Sequence, residues 1–117
     1  MLRNRVIVAD DQTTFSERLR RELEPDYKVV ASVRDGRALV QACDLLSPDI
    51  VICDADVPLL PGLDAVETLR KGRFDGRVLI MTRDGGYENS ERAWQAGADF
   101  HVFKDMGTSA VVRALRH

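Results

Sequence analysis

The chain has 117 residues, a length that suits one compact domain and buries about two-thirds of the unfolded surface without a disulfide staple. It is 44% hydrophobic and 31% charged with a formal net charge of −2, the balance of an ordinary globular protein, and it lacks the positive excess that a nucleic-acid surface requires. No apolar run approaches the ~20 residues of a membrane span, and the start MLRNRVIVADD has too short an apolar run for a signal peptide, so a cytosolic protein with no membrane role is expected.

The first element is a short β-rich run, Val6–Ala9, closed by Asp10 and Asp11. Phe15, Leu19 and Leu23 then recur every four residues, the spacing of one helix face, before Pro25. A second run, Tyr27–Val33, leads past Gly36 to a helical stripe of Leu39, Val40, Cys43 and Leu46 that stops at Ser47-Pro48. The third run, Ile50–Cys53, passes straight into Asp54, followed by Asp56, Pro58, Pro61 and Gly62. Leu63, Val66 and Leu69 form the next stripe, punctuated by Gly72 and Gly76. The fourth run, Val78–Met81, ends at Thr82. The Gly85-Gly86 pair marks either a turn or a mobile connection. Glu88 to Ala96 has the weakest helical pattern, with Ala93 and Ala96 as its small apolar face, and it closes at Gly97. The fifth run, Phe100–Phe103, ends at Lys104, and a last stripe of Val111, Val112 and Leu115 follows Gly107. Cys43 and Cys53 lie in apolar segments outside any Cys-x-x-Cys or Cys/His cluster, which predicts buried reduced thiols rather than zinc ligands.

Five strands alternating with five helices predict parallel βαβ units with right-handed crossovers. The fold class is therefore α/β, a single doubly wound five-stranded parallel sheet formed by residues 1–117 as one domain, with no internal linker or repeat. The last helix, Thr108 to His117, is short and stops abruptly, so the native chain is expected to continue past it.

In a parallel sheet the C-terminal strand ends share one edge, where open α/β folds bind ligands. Asp10, Asp11, Asp54, Thr82 and Lys104 all fall at such ends. Three acids that close repel by on the order of 4 kcal/mol per pair at ~4 Å, so a cation is implied, and an all-oxygen set suits Mg²⁺. Asp54, at the centre of the sheet, becomes a carboxylate nucleophile able to form an aspartyl phosphate. The charge on the transferred group would then be met by the metal, by Lys104, and by the Thr82 hydroxyl with nearby backbone N–H groups. Asp56 is placed for its backbone carbonyl to reach the cation, on a loop stiffened by Pro58 and Pro61. Each piece alone is a common feature; the joint pattern is specific.

The segments VIVADD (Val6–Asp11), PDIVICDADVPLLPGLDAV (Pro48–Val66), VLIMT (Val78–Thr82) and AGADFHVFKD (Ala96–Asp105) resemble a receiver domain of a two-component response regulator over essentially the whole chain. The resemblance implies a flavodoxin-like strand order 2-1-3-4-5 and phosphorylation of Asp54 by a sensor histidine kinase. It makes Asp10 and Asp11 the magnesium acids, with Asp11 the more direct ligand. It makes Thr82 the switch hydroxyl and Lys104 the ion-pair partner of the phosphoryl group. Asp105 after Lys104, where many receivers carry proline, is similar to the NarL type, which usually precedes a LuxR-type DNA-binding domain; DNA would be met only through that separate domain. Phosphorylation is expected to change the surface of helix 4, strand 5 and helix 5, with Trp94, His101 and Arg113 as candidates for contact with a second copy or an output domain.

Three positions depart from the family pattern. His101 stands where a Tyr or Phe usually swings; it would swing likewise, add pH sensitivity, or sit exposed on an edge strand with an altered switch. Arg83 replaces a small residue after Thr82, where it would narrow access to Asp54 or hold the phosphoryl group. Pro61 stiffens the loop. Two rival functions follow from the same residues. A haloacid-dehalogenase-like phosphatase also ends an apolar strand in D-x-D, but that strand opens its domain and its acidic pair follows the lysine. A degenerate receiver acting by protein contact alone is the rival suggested by Arg83.

Overall fold

The computed structural model describes residues 2–83 and 87–116; the Gly85-Gly86 pair lies outside the described residues. Five parallel strands, β1 (Arg5–Ala9), β2 (Lys28–Val33), β3 (Ile50–Asp54), β4 (Arg77–Thr82) and β5 (Phe100–Phe103), form one sheet in the order β2-β1-β3-β4-β5. They alternate with α1 (Thr13–Leu23), α2 (Gly36–Leu46), α3 (Gly62–Lys71), α4 (Tyr87–Ala96) and α5 (Thr108–Leu115). The order predicted from the resemblance is therefore observed, and the strand bounds move by one residue at most. Asp54 and Thr82 belong to their strands; Lys104 instead opens a single 3-10 turn, Lys104–Met106.

The apolar strands point alternate side chains to opposite faces, and each face meets its own helices. Ile7, Ala9, Val51, Cys53, Val78 and Ile80 pack with Leu39 and Cys43 of α2, Val66 and Leu69 of α3, and Ala93 and Ala96 of α4. Val6, Val8, Ile50, Ile52, Leu79 and Met81 pack with Leu19 and Leu23 of α1 and with Val111, Val112 and Leu115 of α5. Burial pushes the Cys43 thiol up to about 12 and Cys53 higher still, as expected of inert core cysteines.

Two glycines seat the loop between β3 and α3. A Cβ on Gly36, at the start of α2, would lie 1.9 Å from the Leu60 carbonyl oxygen, and one on Gly62 would lie 2.3 Å from the Asp54 carbonyl oxygen. The Gly36 N–H donates to the Pro58 carbonyl at 3.2 Å and the Gly62 N–H to the Ala55 carbonyl at 3.0 Å. Between the two prolines Leu59 holds φ 69, a left-handed backbone that costs a non-glycine residue energy and is imposed by these anchors. The loop leaving Asp54 is thus fixed at both ends.

Candidate phosphoacceptor site

Register brings the distant acids together. Ala9 pairs with Cys53 across β1 and β3, so the residues that follow, Asp10 and Asp54, emerge side by side. Thr82 pairs with Phe103 across β4 and β5, which sets Lys104 beyond the threonine at the same rim. Asp10, Asp54, Thr82 and Lys104 are all buried, with exposures of 1, 0, 6 and 7%. Four charged or polar side chains this deep require mutual satisfaction.

They find it in one another. The Lys104 ammonium donates to Asp54 Oδ2 at 2.7 Å and to Asp10 Oδ1 at 2.9 Å, and its Nζ sits 4.8 Å from the Phe15 ring centroid. Backbone N–H groups take the remaining directions: Gln12 donates to Asp10 Oδ1 and Asp56 to Asp54 Oδ1, both at 2.8 Å. One acceptor is left over. Asp10 Oδ2 is buried and accepts no hydrogen bond among the described residues; its one partner is the Lys104 ammonium, an ion pair at 2.9 Å.

A bound cation would give that oxygen a second partner beside the ammonium. Asp10, Asp11 and Asp54 each offer a carboxylate oxygen, all within 4.8 Å of one another, with Asp11 exposed at the rim. An all-oxygen set with an open, solvated side fits Mg²⁺, which keeps several waters. The Asp56 carboxylate is exposed and outside this trio; the group of Asp56 that the structure ties to the site is its N–H. The sequence points only to a carbonyl role there, because a backbone donor carries no side-chain signature.

Burial alone would hold the Asp10 carboxyl above the usual carboxylate range, and it outweighs the opposing hydrogen bonds from Lys104 and Gln12. A raised folded value means that ionising Asp10 costs stability as pH rises through that range. Asp10→Asn is therefore expected to raise the melting temperature of the metal-free protein at neutral pH while weakening Mg²⁺ binding. A lower melting temperature in calorimetry would contradict the assignment of burial as the dominant influence.

His101 does not sit exposed on the edge strand, the plainest of its three expected settings. It is half-buried, with Nε2 2.7 Å from Thr82 Oγ1, Nδ1 2.9 Å from Ser90 Oγ on α4, and its ring edge-on to Phe103 at 5.0 Å. Burial lowers its pKa from 6.5. A histidine that resists protonation only when folded makes stability fall as pH drops below that value, until the folded form also protonates. Titrating the imidazole by NMR should give a midpoint below 6.5; a midpoint at or above it would refute the burial effect. Two neighbours of the site, Ser90 and Phe15, escape a reading of the sequence. Helical spacing marks Phe15 only as core, and nothing local distinguishes Ser90 from a solvated serine.

Arg83 is exposed and borders a small pocket of about 370 Å³ shared with Asp56, Asp64, Thr82, Asn89 and Arg92. It makes no ion pair among the described residues, and Asp54 accepts its two bonds from Lys104 and Asp56 rather than from Arg83. Trp94 and Arg113 lie exposed on α4 and α5.

A rim of this kind defines a signalling domain of the two-component class. Over residues 6–116 the chain matches the response regulator receiver domain, and it belongs to that family. It is 29% identical to the DNA-binding transcriptional activator EvgA of Escherichia coli K12 over 112 residues, 96% of this chain and 55% of that protein. It is 28% identical to the nitrate/nitrite response regulator NarL of the same organism over 93 residues, 80% of this chain and 43% of that one. Its structure resembles the receiver domain of the putative response regulator NarL from Mycobacterium tuberculosis, with TM-score 0.89 and 26% identity over 99% of this chain and 95% of that one. It also resembles a LuxR-family two-component response regulator from Aurantimonas, with TM-score 0.88 and 31% identity over 96% and 81% of the respective chains. The chain spans about half the length of the curated relatives it matches.

Proposed function

We propose that this receiver domain is a phosphorylation-controlled switch whose phosphoacceptor is Asp54. The observation that carries the reading is a fully buried Asp54 tied to Lys104 at 2.7 Å, beside an Asp10 oxygen that accepts no hydrogen bond among the described residues and has only its ion pair with the same ammonium, at 2.9 Å. The donor is the phosphohistidine of a sensor histidine kinase. An Asp54 carboxylate oxygen forms a bond to phosphorus as the phosphorus–nitrogen bond breaks; the electron pair stays on the donor imidazole, which takes up a proton. Asp10, Asp11 and Asp54, with the Asp56 carbonyl, would hold Mg²⁺, which when bound neutralises charge on the phosphoryl oxygens. Lys104 supplies a second fixed positive charge, and the Asp56 N–H keeps the Asp54 carboxylate oriented. Thr82 donates its hydroxyl to the phosphoryl group once that group is present.

The readout is a changed surface on α4, β5 and α5, where Trp94 and Arg113 are exposed and where a second copy would dock on phosphorylation. Output is transcriptional, in the cytosol, through a DNA-binding domain outside residues 1–117, as the name of EvgA suggests. Among the described residues no helix is long and apolar enough to cross a membrane.

Acetyl phosphate with Mg²⁺, read by intact mass, tests the central step. One added phosphate on the parent chain and none on Asp54→Asn is the expected result. No adduct at all would favour a domain acting by contact alone, and sustained release of phosphate from a phosphomonoester would favour a phosphatase.

A further inference from the structure

The imidazole of His101 joins two hydroxyls on different elements, Thr82 at the end of β4 and Ser90 inside α4, at 2.7 and 2.9 Å. A neutral imidazole has one N–H and one bare nitrogen, so one hydroxyl accepts from the ring and the other donates to it. The three groups therefore form a polarised chain in which each bond sets the direction of the other. The edge-on contact with Phe103 fixes the ring plane between them. The result is a continuous line of hydrogen bonds from the C-terminal rim of the sheet to the middle of α4.

We infer that Ser90, His101 and Thr82 form a latch that ties α4 to β5 and draws the Thr82 hydroxyl away from Asp54 until a phosphoryl group competes for it. This rests on the phosphoacceptor reading of Asp54. With Nδ1–H donating to Ser90 and the Thr82 hydroxyl donating to the bare Nε2, the tautomer the latch requires, Thr82 can turn that hydroxyl to the phosphoryl group only by giving up its bond to His101, and that frees the ring to leave Ser90. His101 and Ser90 are thus positioning residues: neither touches Asp54, and both act through Thr82. The latch opposes activation, so weakening it favours the phosphorylated form. A net hydrogen bond of ordinary strength corresponds to about a three- to tenfold change in an equilibrium.

Trp94, the single tryptophan, lies on α4 and reports its environment by fluorescence. Titration with Mg²⁺ and beryllofluoride, a stable stand-in for the phosphoryl group, measures the activated state. Ser90→Ala and His101→Phe are each expected to tighten beryllofluoride binding about three- to tenfold. The double variant should match His101→Phe alone, because the chain is already cut, and Ser90→Thr, which keeps the hydroxyl, should behave as the parent. Hydrogen exchange of the α4 amides supplies a second readout that needs no phosphoryl chemistry: it should quicken in Ser90→Ala and His101→Phe and stay parental in Ser90→Thr. Unchanged affinity and unchanged exchange in Ser90→Ala, or fully additive effects in the double variant, would overturn the latch. A parent chain that binds no beryllofluoride would instead overturn the phosphoacceptor reading, and the exchange data would still decide whether α4 is tied down.

Discussion

Lys104→Met should lower the stability of the metal-free protein by about 3–5 kcal/mol near pH 7, the cost of removing one member of a buried charge cluster. The ammonium donates to both Asp10 and Asp54, at 2.9 and 2.7 Å, and all three groups are at least nine-tenths buried. Methionine fills the space beside Phe15 but leaves two carboxylates facing each other in a low-dielectric setting. The deficit should narrow in two ways. Millimolar Mg²⁺ should restore part of it by supplying the missing positive charge. Lowering the pH should restore part as well, because Asp10, which burial already holds above the usual carboxylate range, takes up a proton more readily and that ends the repulsion. Urea unfolding with and without Mg²⁺ at neutral and at lower pH measures this. A variant as stable as the parent under all four conditions would mean that the buried cluster is not electrostatically strained. If Asp54 is the phosphoacceptor, as proposed, acetyl-phosphate labelling should also fall sharply, because Lys104 is the fixed cation 2.7 Å from its Oδ2.

Gly62→Ala should cost about 2–3 kcal/mol or more, through overpacking against backbone. The added Cβ would lie 2.3 Å from the Asp54 carbonyl oxygen and 2.8 Å from the Ala55 Cα. Neither atom belongs to a flexible side chain, so β3 and α3 must separate, and that separation moves Asp54, the proposed phosphoacceptor. Stability and phosphorylation should therefore fall together. Gly72→Ala is the matched control. Its Cβ would meet the nearest atoms at 3.5 Å, its φ is −81, and its stability should stay within about 0.5 kcal/mol of the parent. Equal stabilities for the two alanine variants, by chemical denaturation, would show that the close approach at Gly62 relaxes without cost.

The sheet is legible in the sequence because its strands are nearly uniform apolar runs. Val6–Ala9, Ile50–Cys53 and Val78–Met81 have no polar face to mislead, and a Gly or Pro stands close to almost every junction. For Lys104 the pattern points to the end of a strand, whereas the residue starts a 3-10 turn. Local sequence does not separate the two, since both put the same side chain at the same rim. Gly36 reads as punctuation, whereas it is the first residue of α2 and receives the Leu60 carbonyl; that contact joins segments far apart along the chain.

By itself the chain determined which side chains would meet: the parallel βαβ pattern forces residues that end strands to one rim, whatever the details of packing. For that reason Asp10, Asp54, Thr82 and Lys104 stand out as one group from their positions along the chain alone. What they do to one another was decided only in three dimensions. The paired contact of Lys104 with Asp10 and Asp54, the Asp10 Oδ2 that has an ion pair but no hydrogen bond among the described residues, the Asp56 N–H on Asp54 and the bridge from Thr82 through His101 to Ser90 depend on directions of a few ångströms. Hydrophobic periodicity specifies faces and ends; hydrogen-bond direction comes from how those faces finally pack, and no one-dimensional pattern carries it.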